Sequence, residues 1–507
     1  AALLAACGGG GSFEIDILSD ETGCNGLTGI IRPGSQVELT VRGPGMSPIK
    51  ARASGSDRRL ELTEIPEGPD RVVTVEVREG GGSGGGDLLA WGESEPFEVT
   101  SDGAPRVRVV LYRTNYFMEV VGPSGTCAEM LEPRAGHVAI ALSENEVLLA
   151  GGYTGQRDGQ PDGILDSVEL FNLRSGTFRP GPAMPSPRAY ARAVTLHDGR
   201  VLVVGGVMES GGELVPVADA MIFDGKSWKT VEMAHARRGH TVSLIDRTGE
   251  VLVVGGIDAE NQIVGAVELF DPQTDTFREL ELPGGAGSFA RAHHVAVVHE
   301  DNVVIAGGID TDGRVLADVS ILTWNNAQRI YLGQSNHYSL DTPVMMPVAM
   351  VLGSAADPKL VVAGGYTVYS ADPNAPGAGT PSSQTNALQL HGLLSRGGQT
   401  SRTNLMTSVA GSCGLPLHSN RGIVVGGVRG SVVASGYGDL VVYSRNNNSL
   451  QASQAGETRD RRPKAAKDLA CTPIGKNGVL ITGGGDTDGT VKGQAIVYFG
   501  KSDRSDA

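Results

Sequence analysis

An apolar run closed by two glycines recurs seven times in this chain of 507 residues, and it limits the possible folds more than any other feature. The copies are Val147-Leu148-Leu149-Ala150-Gly151-Gly152, Val201-Leu202-Val203-Val204-Gly205-Gly206 and Val251-Leu252-Val253-Val254-Gly255-Gly256. They continue as Val303-Val304-Ile305-Ala306-Gly307-Gly308, Leu360-Val361-Val362-Ala363-Gly364-Gly365, Ile423-Val424-Val425-Gly426-Gly427 and Val479-Leu480-Ile481-Thr482-Gly483-Gly484. Consecutive first glycines stand 50 to 62 residues apart. A run apolar at every position, not every second one, belongs to a strand buried on both faces. A glycine pair ends such a strand where the backbone turns or comes close to another chain and a Cβ would clash. One small sheet cannot bury two faces alone, whereas copies stacked around an axis bury each other.

Two further elements keep register with the glycines. Upstream lies Arg-x-x-His, as Arg134 with His137, Arg237 with His240, and Arg291 with His294; the second copy has Arg188 but Ala191 in place of His. Downstream lies a second strand, Val168-Glu169-Leu170-Phe171, Ala220-Met221-Ile222-Phe223 and Val267-Glu268-Leu269-Phe270, followed by Phe178, Trp228 and Phe277. A period of about 50 residues with this signature resembles the kelch repeat of the galactose oxidase/kelch-like superfamily. The resemblance covers roughly residues 130 to 500 and is strongest in the first four copies. It implies an all-β protein with a seven-bladed kelch-type β-propeller. The final strand, near Ala495-Ile496-Val497-Tyr498, lacks an outer neighbour, and Thr126-Cys127-Ala128-Glu129-Met130 is expected to supply it and close the ring.

Residues 13–122 lack the repeat. Alternating runs at Gln36–Val41, Val72–Val77 and Val107–Leu111, with the glycine-rich stretch 80–86 as a hairpin tip, predict a small antiparallel β-sandwich of Ig-like type. The expected organisation is therefore an N-terminal remnant at 1–12, the sandwich at 13–122, the propeller at 123–501 and a tail at 502–507.

Leu4-Ala5-Ala6-Cys7 resembles a bacterial lipoprotein signal, which implies cleavage before Cys7, acylation of that residue, and Gly8–Ser12 as a tether. Gly8 after the cysteine implies the outer membrane. The remaining cysteines form an even set, read in an exported protein as two disulfides with three possible pairings. The predicted closing segment puts Cys127 toward the sandwich and so favours Cys24–Cys127. Matching places in adjacent blades favour Cys413–Cys471. The net charge of −15 argues against a general nucleic-acid or anionic-membrane surface, and no apolar run reaches the roughly 18 residues of a spanning helix.

Arg134, His137, Arg188, Arg237, His240, Arg291 and His294 are the candidate ligand-binding residues: facing the channel, they would bind an anion such as an acidic sugar. The competing role is blade framework, bonded to carbonyls and to Glu169 and Glu268, and recurrence in every blade favours that role. Asp310-Thr311-Asp312-Gly313 and Asp486-Thr487-Asp488-Gly489 resemble the opening of a calcium loop but lack its later ligands, so tight turns explain them better. A copper oxidase resembling galactose oxidase would need a cysteine crosslinked to a tyrosine, and none lies between Cys127 and Cys413 to serve Tyr190, Tyr338 or Tyr366. The basic run 459–464 reads as a solvated loop, and 370–384 as an inserted loop on one face. No catalytic residue, metal or cofactor is assigned. The expected function is a non-catalytic, envelope-anchored binding or scaffolding module, a monomer presenting loops and channel mouth to a protein or glycan. The alternative is a carbohydrate-active enzyme, an oxidase resembling galactose oxidase or an epimerase of the sialic-acid type.

Overall fold

The computed structural model describes residues 3–6, 13–18, 24, 30–57, 65–80, 86–101, 106–157, 160–282, 289–300, 302–325, 330–354, 357–368, 384–389, 399–405, 409–418, 420–429, 432–433, 438–444, 449–455, 467–475, 477–486 and 488–500. Cys7, the tether, and the loops at 370–383 and 459–464 lie outside them. Among the described residues every regular element is a strand.

Seven four-stranded sheets carry the repeat. In the first blade Val138–Ala141 pairs with Glu146–Ala150, which pairs with Val168–Asn172 and then Thr177–Pro180, all antiparallel. The second strand is the apolar run; in this blade Val147 to Ala150 are buried throughout. The repeat's aromatics meet across the outer two strands, with ring centroids 4.9 Å apart for Phe171–Phe178, 4.9 Å for Phe223–Trp228 and 5.0 Å for Phe270–Phe277. The innermost strands touch in sequence, from Val138–Ala141 through Arg192–Thr195, Thr241–Leu244, Val295–His299, Val348–Ser354 and Cys413–His418 to Ala470–Ile474. The last of these touches the first, so the sheets form a closed wheel.

Each glycine pair has positive φ at both positions, from Gly151 (66°) and Gly152 (95°) to Gly483 (63°) and Gly484 (93°). The conformation turns the second N–H toward the next blade. Gly152 donates to Arg188 O (2.8 Å), Gly206 to Arg237 O (3.0 Å), Gly256 to Arg291 O (2.8 Å), Gly308 to Val344 O (2.8 Å) and Gly365 to Val409 O (3.0 Å). Gly484 in turn donates to Arg134 O (3.0 Å), joining the seventh blade to the first. The glycine signature is therefore a seam between blades.

The seventh blade borrows its outer strand from the N-terminal region, as expected, but from different residues. Phe117–Glu119 pairs with Ala495–Phe499 through Phe117↔Tyr498 and Met118↔Val497. Thr126 to Met130, the segment expected there, follows it as a return, with Ala128 N–H on Val120 O (2.8 Å) and Met130 N–H on Gly493 O (2.9 Å). The reason lies in burial: Phe117 and Met118 are fully buried and cover the apolar Ala495–Phe499 strand, whereas Glu129 is exposed.

Ahead of the propeller, a three-stranded sheet and a larger sheet share one core containing Ile15, Leu39, Val41, Val75, Val77 and Val109. Among their described strands every pair but one is antiparallel. The exception is Phe13–Leu18 against Val107–Val110, which is parallel and so departs from the purely antiparallel expectation. Trp91, Tyr112 and Phe499 join this unit to the wheel, with Trp91 edge-on to Phe499 at 5.0 Å and Tyr112 Oη donating to Leu173 O (2.7 Å). Disulfides link Cys24 to Cys127 and Cys413 to Cys471.

Candidate functional site

The repeat arginines are buried inside their blades, with the terminal guanidinium nitrogens bonded there. Arg134 donates to Gly151 O (2.8 Å), Ser167 O (3.1 Å) and Glu169 Oε1 (2.6 Å), and Arg237 repeats this on Gly255 O, Ala266 O and Glu268. Arg188 uses Asp219 (2.6 Å) and Arg291 uses Asp318 (2.7 Å) for the same purpose. Each guanidinium ties the first glycine of its own pair to the start of the third strand. The histidines span seams instead. His137 reaches Thr482 Oγ1 of the seventh blade (2.9 Å), and Thr241 of the third blade meets His294 Nε2 (2.8 Å). The His240 ring lies against Gly205 of the preceding blade. Where the second blade has Ala191, Met184 Cε lies against Gly151 instead. Burial, reinforced by the adjacent repeat arginine, holds His137 down to about 3 and His240 and His294 well below the usual imidazole range. All seven residues are thus in the framework, away from the channel surface.

The channel mouth is built by the position between them. Two residues after each repeat arginine, or its equivalent, the backbone is left-handed in all seven blades. The series is Gly136 (φ 60°), Tyr190 (55°), Gly239 (66°), His293 (56°), Met346 (51°), Gly411 (67°) and Asp468 (58°). The residue before each pairs with the residue following the same blade's glycine pair, as in Ala135↔Tyr153, Ala189↔Val207 and Lys467↔Gly485. Backbone hydrogen bonds pass between neighbours around this collar. Gly136 N–H donates to Asp468 O (2.9 Å), Tyr190 to Gly136 O (2.8 Å), His293 to Gly239 O (2.8 Å) and Met346 to His293 O (2.7 Å).

Glycine suits this conformation, and four blades forgo it. A non-glycine residue at such φ costs about 1–2 kcal/mol, and strain of this kind concentrates at functional sites. The collar glycines make room for the larger neighbours. A Cβ on Gly136 would stand 2.9 Å from Tyr190 Cε1, and one on Gly239 would stand 2.9 Å from His293 Cε1.

Asp468 organises one side of the mouth. Its Oδ2 accepts from Tyr153 Oη (2.6 Å) and Tyr190 Oη (3.2 Å), and the two rings lie 5.8 Å apart. Gln156 Nε2 donates to Tyr153 Oη (3.1 Å) and Lys467 Nζ to Gln156 Oε1 (3.3 Å). Burial first, and then the Asp468 charge, pushes the phenols of Tyr153, Tyr190 and Tyr366 up, so all three are neutral. Burial beside Arg238 and Arg192 holds His293 down to about 4, a neutral imidazole at physiological pH. Arg192 begins the innermost strand of the second blade and is exposed. Its charge is felt by His240, His293 and His294 as well as by Asp468, groups on the third, fourth and seventh blades.

Of the tyrosines considered for copper chemistry, Tyr190 and Tyr366 are at the mouth, whereas Tyr338 is buried in an outer strand. Asp310 accepts from the N–H groups of Asp312 and Arg314 (2.9 Å each) and closes a tight turn. Asp486 likewise sits in a turn, with its N–H on Thr490 O. Arg192, His293, Met346 and Asp468 were missed as site residues. The signal for His293, Met346 and Asp468 is the side chain replacing glycine two places after the repeat arginine or its equivalent, and for Arg192 a charge at a strand position that is uncharged in the other blades.

Fold and seam together define a kelch-type β-propeller. The KLHDC2/KLHL20/DRC7 Kelch-repeats domain matches residues 102–308. Kelch-like protein 40 of Mus musculus is 27% identical over 183 residues, covering 35% of this chain and 28% of that protein. Beta-scruin of Limulus polyphemus is 24% identical over 156 residues, covering 30% of this chain and 17% of that protein. The chain thus spans less than a third of the length of either relative. Among solved structures, a fungal alcohol oxidase of the AA5 family, in complex with copper, shares the fold with a TM-score of 0.53 at 14% identity, over 76% of this chain and 75% of that one.

Proposed function

We propose that the chain is a non-catalytic binding or scaffolding module held at a bacterial cell envelope, presenting its channel mouth to a protein or glycan. One observation carries this reading. The residues shared by the repeat are consumed in framework bonds, while those departing from it, Tyr190, Arg192, His293 and Asp468, gather at one end of the channel. Kelch-repeat proteins generally serve as protein-binding or scaffolding modules, which supports a protein ligand. Anchoring through Cys7 fits the fold. Among the described residues Leu3–Ala6, ahead of it, is an edge strand beside Phe13–Leu18, so cleavage there removes no central strand. The enzyme alternative shares a fold with the copper oxidase. The donor set does not fit that copper chemistry, because the four described cysteines are all in disulfides and the Tyr153 and Tyr190 phenols donate to Asp468.

The test is photo-crosslinking in intact cells, beside a glycan array with the purified chain. A crosslinker replacing Thr154 or Asn261, exposed on the mouth side, is expected to trap a defined partner, or the array to give a discrete glycan. Crosslinks solely from the opposite side, at Asn145 or Asp246, with no glycan bound, would remove this reading.

A further inference from the structure

We propose that the propeller axis holds a pocket for a compact monocarboxylate, with Arg192 as its anion-binding group and Tyr190, His293, Met346 and Asp468 as its strained rim. The inference rests on the mouth being the binding face and adds the chemistry of what enters it.

Arg192 is the odd member of its register position. The equivalent residues, each paired with the one just before the glycine pair, are Val138, Thr241, Val295, Val348, Cys413 and Ala470. Every one of them is uncharged. The four repeat arginines each hold a carboxylate and a glycine carbonyl. Among the described residues, by contrast, Arg192 makes no hydrogen bond or ion pair, and Asp468 reaches it only through its field. An exposed guanidinium at the first position of an innermost strand is open to an anion entering the channel. A guanidinium presents two parallel N–H donors that match a carboxylate edge.

The rim supplies selection. Neutral His293 and the Tyr190 phenol offer hydrogen bonds without adding charge, and the Met346 thioether offers an adaptable apolar contact. Asp468 keeps one negative charge at the entrance, where the two phenols stabilise it. That charge repels a second one on the ligand, which favours a monocarboxylate over a phosphate dianion. The strain explains why these side chains are worth holding. Glycine would relax the backbone at 190, 293, 346 and 468; the bonds between Tyr190, Tyr153 and Asp468 offset part of that loss at 190 and 468, and at 293 and 346 a ligand contact would offset it.

The experiment measures binding to the purified full chain calorimetrically and as a shift in Tm, using acetate, lactate, succinate and inorganic phosphate at constant ionic strength. Acetate or lactate is expected to bind and raise Tm, with succinate and phosphate at least tenfold weaker. Arg192→Gln should abolish binding without lowering the ligand-free Tm. His293→Gly should weaken binding at least fivefold while its ligand-free Tm stays level or rises. Asp468→Asn, which tolerates the left-handed conformation, should relax the selection against phosphate. The proposal is overturned if no monocarboxylate binds, if Arg192→Gln binds as well as the parent, or if phosphate binds best in the parent. It is also overturned if His293→Gly loses stability but binds normally. Crosslinking at the mouth with no carboxylate bound would sink this inference alone and leave the module reading standing.

Discussion

The hydroxyl of Tyr153, on the first blade, donates a 2.6 Å hydrogen bond to the carboxylate of Asp468, on the seventh. The contact spans 315 residues of sequence and lies at the seam where the wheel closes. Site chemistry and ring closure therefore share a residue.

Tyr153→Phe is expected to cost about 1.5–3 kcal/mol, since it removes a half-buried hydrogen bond to a carboxylate. Tyr190→Phe, whose bond to the same oxygen is longer at 3.2 Å, should cost less. Urea unfolding of the two variants checks the order, and equal costs would argue against Asp468 acting as the clasp.

Arg237→Met leaves Glu268 buried and unpaired, so a loss of about 3–5 kcal/mol is expected. Arg192→Gln should stay within about 0.5 kcal/mol of the parent, because it breaks no pair. Denaturant midpoints of both, measured side by side, separate framework arginine from channel arginine.

Stability should fall on mild acidification. Folded His137 titrates near 3 and His293 near 4, with His240 and His294 also held well below the usual value. Between those values and the unfolded value of about 6.5, the unfolded chain binds more protons. The stability of the neutral forms is therefore complete above about pH 7 and is lost as pH drops from there toward 3. Each histidine contributes a slope of up to about 1.4 kcal/mol per pH unit. His137→Gln should flatten a plot of unfolding free energy against pH by about one proton between pH 6 and 4.

The two disulfides bracket the closing blade. Cys413–Cys471 joins the innermost strands of the sixth and seventh blades, and Cys24–Cys127 fastens the segment after the borrowed strand. Replacing either pair by serine should cost about 2–5 kcal/mol. Hydrogen exchange should quicken locally, at Phe117–Glu119 and Ala495–Phe499 for the Cys24–Cys127 variant. Uniform acceleration around the whole wheel would contradict that placement.

Much of the fold was legible because a repeat prints the same burial problem many times. Val-Leu-Val-Val is apolar on both faces wherever it sits, and Gly-Gly marks the seam whichever blade follows. The closing strand was misplaced by some nine residues, because Phe117–Glu119 and the segment to Met130 both carry apolar residues. Only packing on Ala495–Phe499 distinguishes them. The repeat Arg and His were visible as motifs, and their framework role followed from recurrence. The mouth was not visible, since its residues are defined by departing from a pattern.

From the order of amino acids alone came the unit of architecture: a sheet with two apolar faces, its glycine seam and the number of copies. Those properties are local, dictated by burial and backbone geometry within some 50 residues. Which side chains meet on the axis depended on closing the wheel, because Tyr190, Arg192, His293 and Asp468 are brought together only by contacts across the full length of the repeat. Proximity of that kind has no period to read, and packing alone creates it.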